Sequence, residues 1–286
     1  MKIGVIAESF RLPFKEAIRL AREMGAEGVQ IYVSKGDFTP DKLTPSGRRE
    51  LLDFLSSWGM SISALCGDFG GYGFAKKEEN EWKIEETIKI MDLARDLKTQ
   101  VVTTHIGVVP ENKEEEQYKV LKEAMEELGF WGDRKEVFLA IETGPENPEV
   151  LKSFIETVNR ESIRVNYDPA NLVMCAGEDP IKGVYTLRKY IVHTHAKDGK
   201  KLSSLDAATL YNLLAEKGLE GGWWREHFQE VPLGEGEVDF PSYLRALKEV
   251  GYEGFLTVER EVGENPEEDI RKAVFFLRDL LRKLER

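Results

Sequence analysis

Cysteine is nearly missing from this sequence, with two residues in 286, and neither sits in a C-x-x-C spacing. Cys66 and Cys175 stand alone in apolar stretches, so no disulfide framework is available and two buried free thiols are expected. Unpaired thiols suit a reducing cytoplasm. No apolar run approaches the ~20 residues that a membrane span requires. The opening MKIGVIAESF has the pattern of a first strand; a secretory leader would carry an apolar stretch before small residues. The expectation is therefore a soluble, cytoplasmic protein with no membrane partner. A G-x-G-x-x-G turn is absent after that first run, which removes the dinucleotide-binding fingerprint of an open α/β sheet. Positive charge is also in deficit, with 40 Lys and Arg against 52 Asp and Glu and a net charge of −12. Nucleic-acid binding requires phosphates to be neutralised, so that partner is not expected.

What is present is ordinary for a large buried core: 41% hydrophobic residues and 32% charged, rich in Glu and Lys. Such a balance occurs in heat-adapted proteins and in any solvated shell of helices. The length suits one barrel-sized domain spanning residues 1–286. Short apolar runs alternate with longer amphipathic stretches: IGVIA (3–7), VQIYV (29–33), SISALC (61–66), VVTTHIG (101–107), VFLAIETG (137–144), IRVNYDP (163–169), IVHTHAKDG (191–199) and FLTVERE (255–261). Helical patterns such as PFKEAIRLAREMG and NEWKIEETIKIMDLARDL separate them, with Pro13 suited to a first turn and Gly25 to a stop. Strand followed by crossover helix implies parallel neighbours, and eight such units close into a barrel. The fold class is α/β, a single (β/α)8 barrel. About 55 residues lie between the seventh and eighth runs, so residues 199–236 form a long insertion on the presumed active face.

In a barrel, chemistry collects where strands end. Four consecutive runs deliver metal-capable groups there: Glu142, Asp168, His193 or His195, and Glu259 or Glu261; His105 ends the fourth run. A lone carboxylate at such a place is usually a helix cap. Four groups at the same place in successive strands are harder to dismiss, because charges inside FLAIE and FLTVE are costly to bury unpaired and a shared divalent cation removes that cost. Three carboxylates and one imidazole suit Mn²⁺, Mg²⁺ or Co²⁺, and Zn²⁺ is compatible. Side chains two apart share a face, so direction alone does not choose within either pair.

The motifs IETG, NYDPANL, HTHAKD and PLGEGEVDFPSYLRALKEVGYEGFLTVE resemble the sugar isomerase and epimerase superfamily with the xylose-isomerase-like barrel. That group includes ketose 3-epimerases, hydroxypyruvate isomerases and inosose dehydratases, and more distantly the endonuclease IV type of DNA repair enzyme. The resemblance covers nearly the whole chain. It implies one divalent metal ion held by Glu142, Asp168, His195 and Glu259, with Glu142 and Glu259 as an acid–base pair on the two faces of a bound sugar. The implied reaction is proton transfer through an enediolate, as isomerisation or epimerisation of a ketose. Many relatives carry a histidine three residues after the metal aspartate, where this chain has Asn171. Endonuclease IV-type enzymes use extra histidines for a three-metal cluster, and four histidines in all disfavour that nuclease reading. Around the metal, His105, Asn171, Lys197, Asp198, Phe69 and Trp223 are candidate substrate contacts. Lys197 and Asp198 could equally pair with each other, and Arg260 reads as a structural ion pair. Trp223 and Trp224 on a long loop suit a sugar ring, a lid, or a homo-oligomer contact. The rival readings are a metal-dependent dehydratase of an inositol or sugar acid, a metal-free sugar-binding or regulatory barrel, and the nuclease; the absence of a glycine-rich phosphate cradle favours an unphosphorylated small-molecule sugar.

Overall fold

The structure is a computed structural model, and residues 1–285 are described. The eight strands expected are all present: β1 (Lys2–Ile6), β2 (Gly28–Tyr32), β3 (Ser61–Cys66), β4 (Val101–Thr104), β5 (Phe138–Glu142), β6 (Ile163–Tyr167), β7 (Ile191–Ala196) and, after two short strands outside the barrel, β10 (Phe255–Val258). They pair in parallel in the order β1-β10-β7-β6-β5-β4-β3-β2 and close. Registers such as Ala140↔Arg164 and Thr257↔His195 bring the carboxyl ends of β5, β6, β7 and β10 to one rim. Strands covered on both faces read as nearly continuous apolar runs rather than alternating ones, and Leu139, Ala140 and Ile141 of β5 are all buried.

The outer layer is made by α1 (Phe14–Met24), α2 (Pro45–Ser57), α3 (Lys77–Asp96), α4 (Glu116–Lys135), α5 (Pro148–Val158), α7 (Pro180–Leu187), α9 (Phe240–Glu249) and α10 (Pro266–Leu284). Their starts follow cap chemistry: Thr44, Asn147 and Asp179 accept backbone N–H bonds ahead of a proline in the first turn. Pro13 takes the cap position of α1 rather than its first turn, and Gly25, at φ 95°, ends that helix in the left-handed conformation. Both cysteines are buried free thiols. Among the described residues, no helix is long and apolar enough to cross a membrane.

The chain leaves the barrel between β7 and α9. It forms β8 (Asp198–Lys201), then α8 (Ala207–Lys217), a kinked turn at Glu220–Glu226, and β9 (Phe228–Val231). β8 and β9 pair antiparallel from Asp198↔Val231 to Lys201↔Phe228. The insertion is therefore a hairpin carrying a helix. Its strand content was hidden because GKK and FQE lack the apolar alternation of a core strand.

Candidate metal centre

The functional residues gather at the carboxyl ends of the barrel strands, within the last residues of a strand or just beyond it. Glu142 is the last residue of β5, whereas His105 and Glu259 each lie one position beyond their strands. Asp168 follows β6 and caps the short α6 (Pro169–Asn171), its Oδ1 accepting from Ala170 N at 2.8 Å and Asn171 N at 3.0 Å. His195, inside β7, points to the barrel interior. Its Nδ1 lies 3.5 Å from Glu142 Oε1, 3.7 Å from Asp168 Oδ2 and 3.4 Å from Glu259 Oε2. One ligand-capable atom from each of the four residues falls within 4.8 Å of all the others, and all four residues are buried.

Side chains around the cluster hold it in place. Asn166 Nδ2 donates to Glu142 Oε2 and Asn171 Nδ2 to Glu142 Oε1, both at 3.0 Å. Gln30 Oε1 takes His193 Nε2 at 2.9 Å and His195 Nε2 at 3.2 Å. Lys197 Nζ donates to Glu259 Oε2 at 3.0 Å and also bonds Glu261. Both members of each pair share a partner, Gln30 or Lys197, and the pairs divide instead by the cluster: His195 and Glu259 enter it, whereas His193 and Glu261 do not.

The protonation pattern follows. Burial opposes charge on every member, but Lys197 and His195 hold Glu259 well below the usual carboxylate range, and His105 and His195 lower Glu142. The same carboxylates hold His195 well above an ordinary histidine. Asp168 is the member for which burial wins, and its pKa is raised. Its Oδ2, fully buried, has no hydrogen-bond partner. An orphaned carboxylate oxygen aimed at two other carboxylates and an imidazole fits a divalent cation, and an oxygen-rich set with one nitrogen suits Mn²⁺, Mg²⁺ or Co²⁺ best.

The cluster opens into a cavity of about 280 Å³, at the small end of ligand sites. α8 roofs it with Tyr211 and Leu214, and Leu219 just beyond that helix completes the roof. Tyr72 Oη donates to Glu216 Oε1 at 2.7 Å and ties the loop after β3 to that roof. The Gly144 of IETG is explained by the same roof: a Cβ there would lie 1.9 Å from the Tyr211 hydroxyl. His105 lines the cavity with Nδ1 2.9 Å from Asp68 Oδ2 and Nε2 3.5 Å from Glu142 Oε1. Burial pulls against its charge, but Glu142 and Asp68 lift it to about 10.

Asn171 and Lys197, like His105, line the cavity, and three other expected contacts do not. Asp198 neither reaches the cavity nor pairs with Lys197, because four backbone amides consume its carboxylate. Phe69 packs edge-on against Trp82, with ring centroids 5.1 Å apart. Trp223 folds back on its own turn, its indole N–H donating to Gly218 O at 3.0 Å. Gln30, Asn166, Tyr211 and Glu230 were not anticipated. Gln30 and Asn166 carried a readable signal, a polar amide inside an otherwise apolar strand; Tyr211 and Glu230 belong to the insertion and carried none.

Nearby, Glu146 is buried with one long contact from Val109 N, and burial lifts its carboxyl to about 8 from an ordinary 4.5. The folded state then binds this proton more tightly than the unfolded one, so stability present at low pH is lost as pH rises toward 8. Glu146→Gln is expected to flatten that decline in urea unfolding followed between pH 5 and 9. An unchanged slope would sink the assignment.

Residues 18–280 match the family model described as the xylose isomerase-like TIM barrel. An inosose dehydratase of Clostridium tetani is 31% identical over 164 residues, covering 51% of this chain and 48% of that protein. The chain thus matches about half the length of such curated relatives. Among solved structures, a xylose isomerase domain protein from Planctomyces limnophilus superposes with a TM-score of 0.79 at 25% identity, over 99% of this chain and 97% of that one. A D-tagatose 3-epimerase-like protein gives 0.75 at 19% identity, over 100% and 98%. A match of this extent, on a closed parallel barrel with acidic and imidazole groups gathered at its strand ends, means that the chain belongs to the xylose isomerase-like TIM-barrel family.

Proposed function

We propose that this chain is a divalent-metal-dependent enzyme that moves a proton at the carbon beside a sugar carbonyl, acting as an isomerase or epimerase of a ketose. The observation that carries the reading is the buried cluster of Glu142, Asp168, His195 and Glu259 with the unpartnered Asp168 Oδ2, at the floor of a roofed cavity. A divalent cation bound by those four residues supplies positive charge where an enediolate develops negative charge.

The remaining work falls to the chain. Glu142 and Glu259 come from strands on either side of His195 and are the acid–base pair, one removing the α-proton and the other returning it. Asn166 and Asn171 clamp both oxygens of Glu142, so its orientation is set before substrate enters. Lys197 keeps Glu259 ionised and therefore able to accept a proton. His105, held by Asp68, presents Nε2 to the cavity as a donor for a substrate hydroxyl. α8 limits water above the reacting atoms.

The likeness to inosose dehydratases favours a second reading, in which loss of a β-hydroxyl follows proton removal. Solvent deuterium incorporation separates the two. Metal-stripped protein reloaded with Mn²⁺ is expected to exchange a proton beside the carbonyl of at least one ketose in D₂O. The exchanging carbon distinguishes epimerase from isomerase. A new absorbing carbonyl product in place of exchange means dehydration, and no metal binding at all overturns the site.

Metal binding has its own readout. A ligand at 100 times its Kd adds about 2.7 kcal/mol to the folded state. Mn²⁺ is therefore expected to raise Tm by several degrees, with one ion bound per chain by calorimetry, and EDTA to reverse the rise. A Tm indifferent to both would count against the cluster as a metal site.

A further inference from the structure

Barrels of this architecture commonly bind substrate phosphate with backbone amides from the loops after the last two strands. This chain gathers backbone amides in the loop before α9, beside the cavity rather than in its lining, and fills that nest with its own carboxylate. In the segment Pro232–Val238, which follows β9, Gly234 N and Gly236 N donate to Asp198 Oδ2 at 2.9 and 3.0 Å. Gly199 N and Val238 N donate to Asp198 Oδ1 at 2.9 and 3.2 Å. Asp198 is 1% exposed, and a Cβ at Gly236 would lie 2.0 Å from its Oδ1, so no second anion has room. The amide of Glu261, after the eighth barrel strand, is likewise taken by Glu230. At the cavity, Asp168 also takes the first amides of α6.

The cavity's side chains point the same way. Among the described residues lining it, Lys197, His105 and His195 face five carboxylates: Asp68, Glu142, Glu230, Glu259 and Glu261. A divalent ion offsets charge only at the cluster. The cations beyond it are engaged, Lys197 by Glu259 and Glu261 and His105 by Asp68. An anionic substituent on the substrate would have to break one of these pairs, leaving a buried carboxylate uncompensated. Hydroxyl groups carry no such cost, because Glu230, Glu261 and Asp68 offer acceptor oxygens and Asn171 and Lys197 offer donors. The upper wall adds Tyr211 and Leu214, apolar surface for the C–H face of a ring.

We infer that the substrate is an uncharged polyhydroxy carbonyl compound of monosaccharide size, carrying neither phosphate nor carboxylate. The inference rests on the sugar-chemistry reading above, and its test separates the two. The full-length chain loaded with Mn²⁺ is titrated calorimetrically with neutral ketoses and inososes and with the phosphate monoester and the acid counterpart of each, and the same panel is run for deuterium exchange. At least one neutral compound is expected to bind, with each charged counterpart weaker by roughly 100-fold or more. A charged compound that binds as well as its neutral parent overturns the inference, and so does a panel in which no neutral compound binds. Neutral-selective binding without any exchange or elimination leaves the inference standing and removes the reaction proposed.

Discussion

Glu259→Gln is expected to lower metal-dependent proton exchange by roughly 10³-fold or more while the protein remains folded, since an acid–base group alone contributes about 10²–10⁴. Glutamine keeps the shape of the side chain and removes both its charge and its ability to take a proton. Glu259 is 6% exposed, with Lys197 Nζ at 3.0 Å and His195 Nδ1 at 3.4 Å. The amide oxygen can still accept from Lys197, and Lys197 retains Glu261, so no buried cation is stranded. Stability should therefore fall by only about 1–3 kcal/mol, the range for a weakened buried hydrogen bond. Glu261→Gln is the matched control: it removes the charge of Lys197's other partner and leaves the four-residue cluster whole. Exchange within roughly tenfold of the parent is expected for it, since no proton-transfer group is lost. Kinetics with both variants at saturating Mn²⁺, alongside calorimetric metal stoichiometry, separate a lost base from a lost ligand. An E259Q protein exchanging at more than a tenth of the parent rate would remove Glu259 from the proton path.

The barrel was legible because both its periodicities are imposed by burial. Eight doubly covered strands leave eight apolar runs, and helices exposed on one side leave an amphipathic repeat between them. The metal candidates were legible for the opposite reason: Glu142, Asp168 and Glu259 are charges that the surrounding apolar run makes expensive. Alternation could not separate His193 from His195, or Glu259 from Glu261, because members of each pair point the same way. Contacts across the barrel made the division: His195 Nδ1 and Glu259 Oε2 meet at 3.4 Å within the cluster, whereas His193 and Glu261 stay outside it. The same limit explains Asp198. Its neighbour Lys197 faces the cavity, so one residue of rotation along the strand turns Asp198 toward the amides of residues 234–238, contacts about 40 positions away that no local pattern encodes. The placement of Phe69 and Trp223 off the cavity was illegible for a different reason. An aromatic on a glycine-rich loop has the composition of a binding residue whether it faces the ligand or packs on its own loop.

Arg260 carries the largest expected effect on stability. Its side chain, 8% exposed, runs away from the cluster and joins Glu230 Oε1 on β9 at 2.6 Å to Asp269 Oδ2 at the start of α10 at 2.9 Å. It thereby fastens the hairpin that carries the cavity roof to the last barrel strand and its helix. Glu230 is buried, and burial already lifts its carboxyl to about 7. Arg260→Met leaves that group with the Glu261 amide and no paired cation in contact, so unfolding free energy is expected to fall by about 3–5 kcal/mol. Because Phe228 and Glu230 both line the cavity, KM should rise more than kcat falls. The double variant Arg260→Met, Glu230→Gln tests the cause. With the carboxylate gone, methionine no longer strands a charge, and part of the lost stability should return, read as a coupling energy of about 0.5–3 kcal/mol. Urea unfolding of the parent, both single variants and the double closes the cycle. If R260M unfolds within about 1 kcal/mol of the parent, an ordinary surface effect, the roof is held by its apolar contacts instead, and Trp224 stacked on Phe228 becomes the fastening to test next.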